Sequence, residues 1–180
     1  NILVIRNDKI GDLVTCTGVF RELKKAFPES EITAIVSKSG EQIISKNKNI
    51  DRIFVADYPP TNYKNFINYK RVLQKLKNEK FDIGIDLRGS IFNIILMNLL
   101  SIKYKVGYYN RYLSKFLLDY AHKKDRINKP ANIQRIELLN KSLGLNLKNY
   151  KLEIAIDKED EKNILKFIRE NKLKKFICLV

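Results

Sequence analysis

An α/β fold on a doubly wound parallel sheet is predicted by three features of the sequence. Apolar runs of strand length alternate with helical segments along the chain. The first run, "ILVIR" over residues 2–6, is apolar at nearly every position, as in a strand buried on both faces. The connections between runs are long enough for helical crossovers, which join parallel strands with right-handed geometry.

The elements follow in order. After the 2–6 strand, residues 12–27 carry Leu13, Val14, Val19, Phe20, Leu23 and Phe27 at helical spacing, and Pro28 stops that helix. Residues 31–37 form a second strand, 40–47 a short helix and 51–57 a third strand. Pro59 and Pro60 break the chain; residues 65–80 then read as an amphipathic helix with Phe66, Val72, Leu73 and Leu76 on one face. A fourth strand is expected at 81–87, a strongly apolar helix at 90–101 and a fifth strand at 104–109. Residues 110–130 are irregular, basic and aromatic. A helix over 131–145 is closed by Gly144. The last helix, 157–174, has acids at its start and lysines at its end, and a strand "KFICLV" follows at 175–180.

Ligands of such sheets bind at the carboxyl ends of the strands. Those ends are residues 6–12, 37–40, 57–60 and 86–90.

Composition points to a globular protein with anionic partners. The net charge is +15, from 35 Lys and Arg against 20 Asp and Glu. No apolar run in the sequence is long enough for a membrane span, and no signal peptide is expected ahead of the first strand. The chain starts on Asn and stops on an apolar run. It is therefore expected to be part of a longer one, the alternative being that 175–180 completes this sheet. Cys16 and Cys178 lie in apolar stretches without metal-ligand spacing, and buried packing in a reducing compartment is expected for both.

The first turn, "RNDKIGD" over 6–12, decides what chemistry is available. Neither the G-x-G-x-x-G of a dinucleotide fold nor a P-loop is present, and two carboxylates there would repel an anion. A nicotinamide-dependent oxidoreductase is thereby disfavoured. Asp12 is either a cap or first-turn residue of the following helix, or a general base at the sheet edge. Asp8 reads as a solvated loop residue, and Gly11 as the residue that lets the turn tighten. Arg6 and Lys9 could hold an anionic group near Asp12. In "DLRGS", over 86–90, Asp86 and Arg88 either pair with each other or the first turn, or Arg88 points into the cleft to hold an anion. His122 is the only histidine and reads as a surface or loop residue, so no zinc site or nucleophilic triad follows. The aromatic-basic stretch 104–126 lacks the signatures of RNA- and DNA-binding folds. A non-catalytic polyanion-binding module remains the alternative to an enzyme.

Several segments together resemble glycosyltransferase family 9, the ADP-heptose:lipopolysaccharide heptosyltransferase family. They are "ILVIRNDKIGDLV", "FDIGIDLRGS", "YKVGY" and "NIQRIELLNKSLGL", in that order across nearly the whole chain. The resemblance implies a Rossmann-like acceptor-side domain over 1–150, the first half of a GT-B architecture. Residues 151–180 would then be a linking helix and the first strand of the donor-binding domain. It implies inverting transfer of heptose or a related sugar from a nucleotide-sugar donor, such as ADP-heptose, without a cofactor or metal. The acceptor would be a phosphorylated or lipid-linked saccharide, such as a lipopolysaccharide core, at the cytoplasmic face of the inner membrane. Peripheral contact with an anionic membrane is expected, and nucleic acid is not. Asp12 takes the role of catalytic base; Arg6, Asn7, Lys9, Gly11 and Arg88 become acceptor-binding residues. Where the family usually has Pro after the helix start, this chain has Gly18.

Overall fold

The computed structural model describes residues 1–109, 112–123 and 129–174. Its centre is one six-stranded parallel sheet in the order β3-β2-β1-β4-β5-β6. The strands are β1 (Ile2–Arg6), β2 (Ile32–Val36), β3 (Arg52–Val55), β4 (Ile83–Asp86), β5 (Tyr104–Tyr109) and β6 (Tyr120–Lys123). β1 pairs with β2 on one side and β4 on the other, and Ile5 lies opposite both Ile35 and Asp86. The chain thus reverses direction across the sheet between β1 and β4, as the doubly wound reading requires.

Helices cover both faces. On one are α1 (Ile10–Val14), α2 (Thr17–Ala26), α3 (Lys38–Ile44) and α7 (Ala131–Leu143), whose Leu13, Phe20, Ile44 and Leu139 pack with Val4, Ala34 and Val106 of the sheet. On the other are α4 (Tyr63–Leu76), α5 (Ile91–Leu99) and α6 (Tyr112–Phe116). There Val72, Leu76, Ile94 and Met97, with Leu118 just after α6, pack on Leu3, Ile5 and Ile35. Every residue of β1 is buried, which explains its continuous apolar run.

Three departures from the sequence reading have local causes. The helix expected over 12–27 is broken into α1 and α2, because Thr15 Oγ1 and Cys16 Sγ both donate to the Asp12 carbonyl, at 2.8 and 3.3 Å. Side chains thereby compete for an acceptor that the helix ladder would use. The helices expected to begin at 40 and 65 start two residues earlier, since Ser37 and Asn62 cap them by accepting from Gly40 N and Asn65 N. The stretch 110–130, read as irregular, contains α6 and the edge strand β6. β6 is held by pairing to β5 rather than by any apolar run of its own. His122 therefore lies half-buried in a strand, its ring edge-on to Tyr108 at 6.2 Å, not in a loop. Burial, and then Lys141, push its pKa below the usual histidine range.

Gly144 closes α7 in the left-handed conformation, as its sequence position suggests. Cys16 is fully buried, and burial raises its thiol pKa. The 175–180 strand and Cys178 lie outside the described residues. After α7 the chain crosses back over α2, where Arg21 donates to Lys151 O at 3.0 Å and Glu153 N donates to Thr17 Oγ1 at 2.9 Å. It then enters α8 (Lys158–Glu170), which has no buried residue. Gly18 is what lets this segment lie so close, because a Cβ there would stand 2.6 Å from Lys151 O. Gly18→Ala is expected to displace the 149–153 segment and to destabilise by about 1–3 kcal/mol. Urea unfolding measures the loss, and proteolysis at the loosened segment localises it.

Candidate active site

The reversal between β1 and β4 brings the ends of those strands together at Arg6 and Asp86. Arg6 is the last residue of β1, and its side chain is 2% exposed. Its guanidinium has three partners: Nη1 donates to Leu87 O at 2.5 Å, and Nε and Nη2 form ion pairs with Asp8 Oδ1 at 2.8 Å and Asp12 Oδ1 at 2.7 Å. A buried cation must be compensated, and here two carboxylates and a carbonyl do so. Arg6, expected to bind the acceptor, is thus placed inside the wall of the cleft rather than on its surface. It is the post to which both acids of the turn are tied.

Asp12 lies in the first turn of α1, with Lys9 rather than Asp12 at the cap. Its side chain is 41% exposed, far more than its partners. A second buried guanidinium reaches it: Arg135 of α7 places Nη2 3.7 Å from Asp12 Oδ1, while its Nη1 donates to Thr15 Oγ1. The closest approach of each guanidinium is to Oδ1. The carboxylate is therefore fixed through one oxygen and open to the cleft.

The other acid of the turn was read as solvated, and the structure corrects that. Asp8 is only 11% exposed and lies between Arg6 and Arg88, paired with both. Arg88 is partly exposed, and its guanidinium carbon stands 3.5 Å over the Tyr58 ring. Of the alternatives open for Arg88, pairing with the first turn is therefore realised, and its partial exposure also leaves it at the cleft. Lys9 is exposed at the rim. Gly11 needs no special conformation: a Cβ there would meet nothing within 4 Å. It marks open space beside Asp12 rather than a tightened turn.

Asn7 is corrected as well, because it is wholly buried and cannot touch a ligand from outside. Its amide donates to Ala56 O at 2.8 Å and to the Tyr69 hydroxyl, and its oxygen accepts from Asn93 Nδ2 at 3.1 Å. Asn93 also donates to Asp86 Oδ1 at 3.0 Å. Asp86 closes this network. Oδ2 accepts from Gly89 N and Ser90 N at 2.9 and 2.7 Å, and Oδ1 accepts from Arg88 N at 3.1 Å. Gly89 has φ of 83°, which a side chain would strain, so glycine serves the turn that folds these amides back. Burial pushes the Asp86 carboxyl above the usual carboxylate range, against the pull of its hydrogen bonds. Burial likewise raises the Tyr69 hydroxyl.

The site therefore gathers Arg6, Asp8, Asp12 and Arg88 from the first turn and the loop after β4, with Lys9 at its edge and Asn7 and Asp86 beneath. Arg135, Tyr58, Tyr69 and Asn93 were not anticipated. An arginine within the apolar "RIELL" of α7 and an asparagine within "IFNIILM" of α5 were the available signals, since polar groups on buried helix faces need partners. Among the described residues, no group of three or more His, Cys, Asp or Glu side chains is placed to hold a metal ion.

The family model "Glycosyltransferase family 9 (heptosyltransferase)" matches residues 69–179. The chain belongs to glycosyltransferase family 9. A curated relative from Escherichia coli K12, with the provisional name lipopolysaccharide heptosyltransferase 4, is 25% identical over 181 residues, covering 96% of this chain and 47% of the relative. Among solved structures, a glycosyltransferase of family 9 from Veillonella parvula superposes with TM-score 0.84 at 23% identity, covering 96% of this chain and 49% of that one. Escherichia coli heptosyltransferase WaaC, solved with ADP-2-deoxy-2-fluoro heptose, superposes with TM-score 0.69 at 18% identity, covering 84% and 51%. The solved structures share the fold, and this chain spans about half the length of the proteins it matches.

Asp86→Asn tests the buried network. Its new amide nitrogen would face either the Gly89 and Ser90 amides or the Arg88 and Asn93 donors, and an unmatched buried donor costs roughly 1–3 kcal/mol. Chemical denaturation is expected to show a loss of that size, whereas a neutral result would mean that the network relaxes without cost.

Proposed function

We propose that this chain is the acceptor-side half of an inverting GT-B sugar transferase, with Asp12 as the general base. The observation that carries this is the state of Asp12: a carboxylate tethered through Oδ1 by Arg6 and Arg135, yet 41% exposed at the sheet's switch point. A base needs a fixed direction and a free lone pair, and Oδ2 supplies the second.

The step balances without a cofactor. Asp12 Oδ2 takes the proton of an acceptor hydroxyl as that oxygen forms a bond to the anomeric carbon of the donor sugar. The bond from that carbon to the donor's diphosphate breaks, the nucleoside diphosphate leaves with the electron pair, and the configuration inverts. Attack from the Asp12 side requires the leaving group to depart from the opposite face. The donor is therefore held mainly by the second domain of a GT-B pair, which residues 151–180 begin. ADP-heptose or a related nucleotide sugar is the donor this reading takes. Arg88 and Lys9 are the cations at the cleft that orient a phosphorylated saccharide, such as a lipopolysaccharide core. Open space beside Gly11 admits its sugar ring. Such a lipid-linked acceptor would bring the protein to the cytoplasmic face of an inner membrane as a peripheral visitor. No helix among the described residues is long and apolar enough to cross one.

The test is sugar transfer by the full-length protein from ADP-heptose to a lipopolysaccharide-core acceptor. Asp12→Asn is expected to lower kcat by about 10²–10⁴-fold with KM for the donor little changed. Unchanged turnover would remove Asp12 as the base. Arg88→Ala is expected to raise KM for a phosphorylated acceptor by about tenfold and to leave that for its dephosphorylated form unmoved.

A further inference from the structure

The two faces of the sheet differ in charge. On the face of α2, α3 and α7, each of these helices carries a carboxylate, Glu22, Glu41 and Glu137. On the other, α4, α5 and α6 carry none, and the sequence has no Asp or Glu over 58–78 or 87–118. Lys64, Lys70, Arg71 and Lys115 are exposed there.

The same face exposes its hydrocarbon. Phe66 was expected to pack inward with Val72 and Leu76, but it is 57% exposed, and Leu99 is 59% exposed. With Leu73, Phe92 and Ile95 they line a groove of about 300 Å³ between α4 and α5, and Lys70 stands at its edge. Tyr112 and Phe116 of α6 continue the exposed apolar surface past the end of α5, where Asn98 of α5 donates to Leu117 O at 3.1 Å.

We propose that the α4–α5–α6 face docks on an anionic lipid bilayer, with acyl-chain carbon entering the α4–α5 groove and the lysines meeting headgroup phosphates. Exposed apolar side chains on helices that carry lysines and an arginine but no carboxylate match the interface between acyl chains and anionic headgroups. A two-fold dimer through this face would set each lysine cluster against its own copy. The groove also connects to the site. Phe92 packs edge-on against Tyr58 at 6.2 Å, Tyr58 carries the Arg88 guanidinium, and Arg88 pairs with Asp8. A bilayer on this face thus lies next to the cleft in which Asp12 stands. The proposal deepens the acceptor reading above by naming the surface that meets the lipid, but its first test does not need turnover.

Co-sedimentation of the full-length protein with vesicles decides it. Vesicles of mixed phosphatidylcholine and phosphatidylglycerol are expected to bind about tenfold or more tightly than phosphatidylcholine alone, with the difference shrinking as salt rises. Lys64→Glu with Lys70→Glu is expected to remove most of that preference. Phe66→Ser with Leu99→Ser is expected to weaken binding by about tenfold through lost apolar insertion. Both double variants alter exposed positions, so unchanged thermal unfolding verifies their folding. Both should keep wild-type transfer to a delipidated acceptor in solution. Equal binding to the two kinds of vesicle, absence of binding, or binding that neither double variant changes would overturn the proposal. So would a dimer in sedimentation velocity that Phe66→Ser with Leu99→Ser dissolves. Vesicle binding without sugar transfer would sink the acceptor reading and leave the docking face standing.

Discussion

The structure around the sheet's switch point depends on one buried guanidinium. Arg6 ends the central strand, where β1 is flanked on both sides and covered on both faces, and its side chain has no route to water. An uncompensated charge in such a place costs several kcal/mol, so everything near its tip must supply negative charge or a carbonyl. That requirement accounts for the composition of the first turn. A loop that cradles phosphate is rich in glycine and amides. This one instead carries Asp8 and Asp12, because what it must hold is a cation already built into the strand. The two acids divide the work. Asp8 is taken up on both sides, by Arg6 and Arg88, and becomes part of the wall. Asp12 meets Arg6 and Arg135 through one oxygen and keeps the rest of its carboxylate in the cleft.

Beneath this charged layer lies a neutral one that sets its geometry. Asn7, Tyr69, Asn93 and Asp86 form a closed set of hydrogen bonds linking the ends of β1 and β4 to α4 and α5. Asp86 folds the loop of β4 back through its amides, which aims Arg88 at the first turn and stacks it on Tyr58. Buried networks of this kind stabilise only when every member is matched, and a matched set permits a single arrangement. The orientation of the exposed Asp12 is thus determined at two removes, through Arg6 and through the loops that this network positions.

Much of the fold could be read from the sequence, for physical reasons that also explain where the reading failed. β1 and β2 are buried in the sheet and announce themselves as apolar runs, and α7 announces its end through Gly144. β6 gave no such signal, because an edge strand of three half-buried residues and one exposed lysine owes its existence to pairing with β5. The split between α1 and α2 was hidden because periodicity records which side faces the core, not which group the Asp12 carbonyl accepts from. At the site, Asp12 and Arg88 could be picked out by their place at strand ends. The solvated reading of Asp8 and the ligand-facing reading of Asn7 failed together, since burial of a loop side chain depends on partners distant in sequence. Asp8 needed Arg88, 80 residues away, and Asn7 needed Asn93, 86 residues away. Arg135 was legible only as an oddity, a charge on a buried helix face, until α7 is seen to lie against the first turn.

The two buried arginines also explain why a base can be held at the sheet edge without being consumed there. A carboxylate in a symmetric pair with one guanidinium would present both oxygens to it, and a substrate hydroxyl would have to break that pair. Arg6 and Arg135 approach from the protein side and converge on Oδ1, while each has a second partner that keeps it in place, Leu87 O and Asp8 for Arg6 and Thr15 for Arg135. Arg6 therefore does not need Asp12 alone for its compensation. When Asp12 takes a proton and loses its charge, Arg6 keeps the Asp8 carboxylate as counter-ion, while Arg135 keeps only the neutral Thr15 hydroxyl as partner. The carboxylate that faces the cleft can change its protonation state, while the one behind it stays paired and holds the wall.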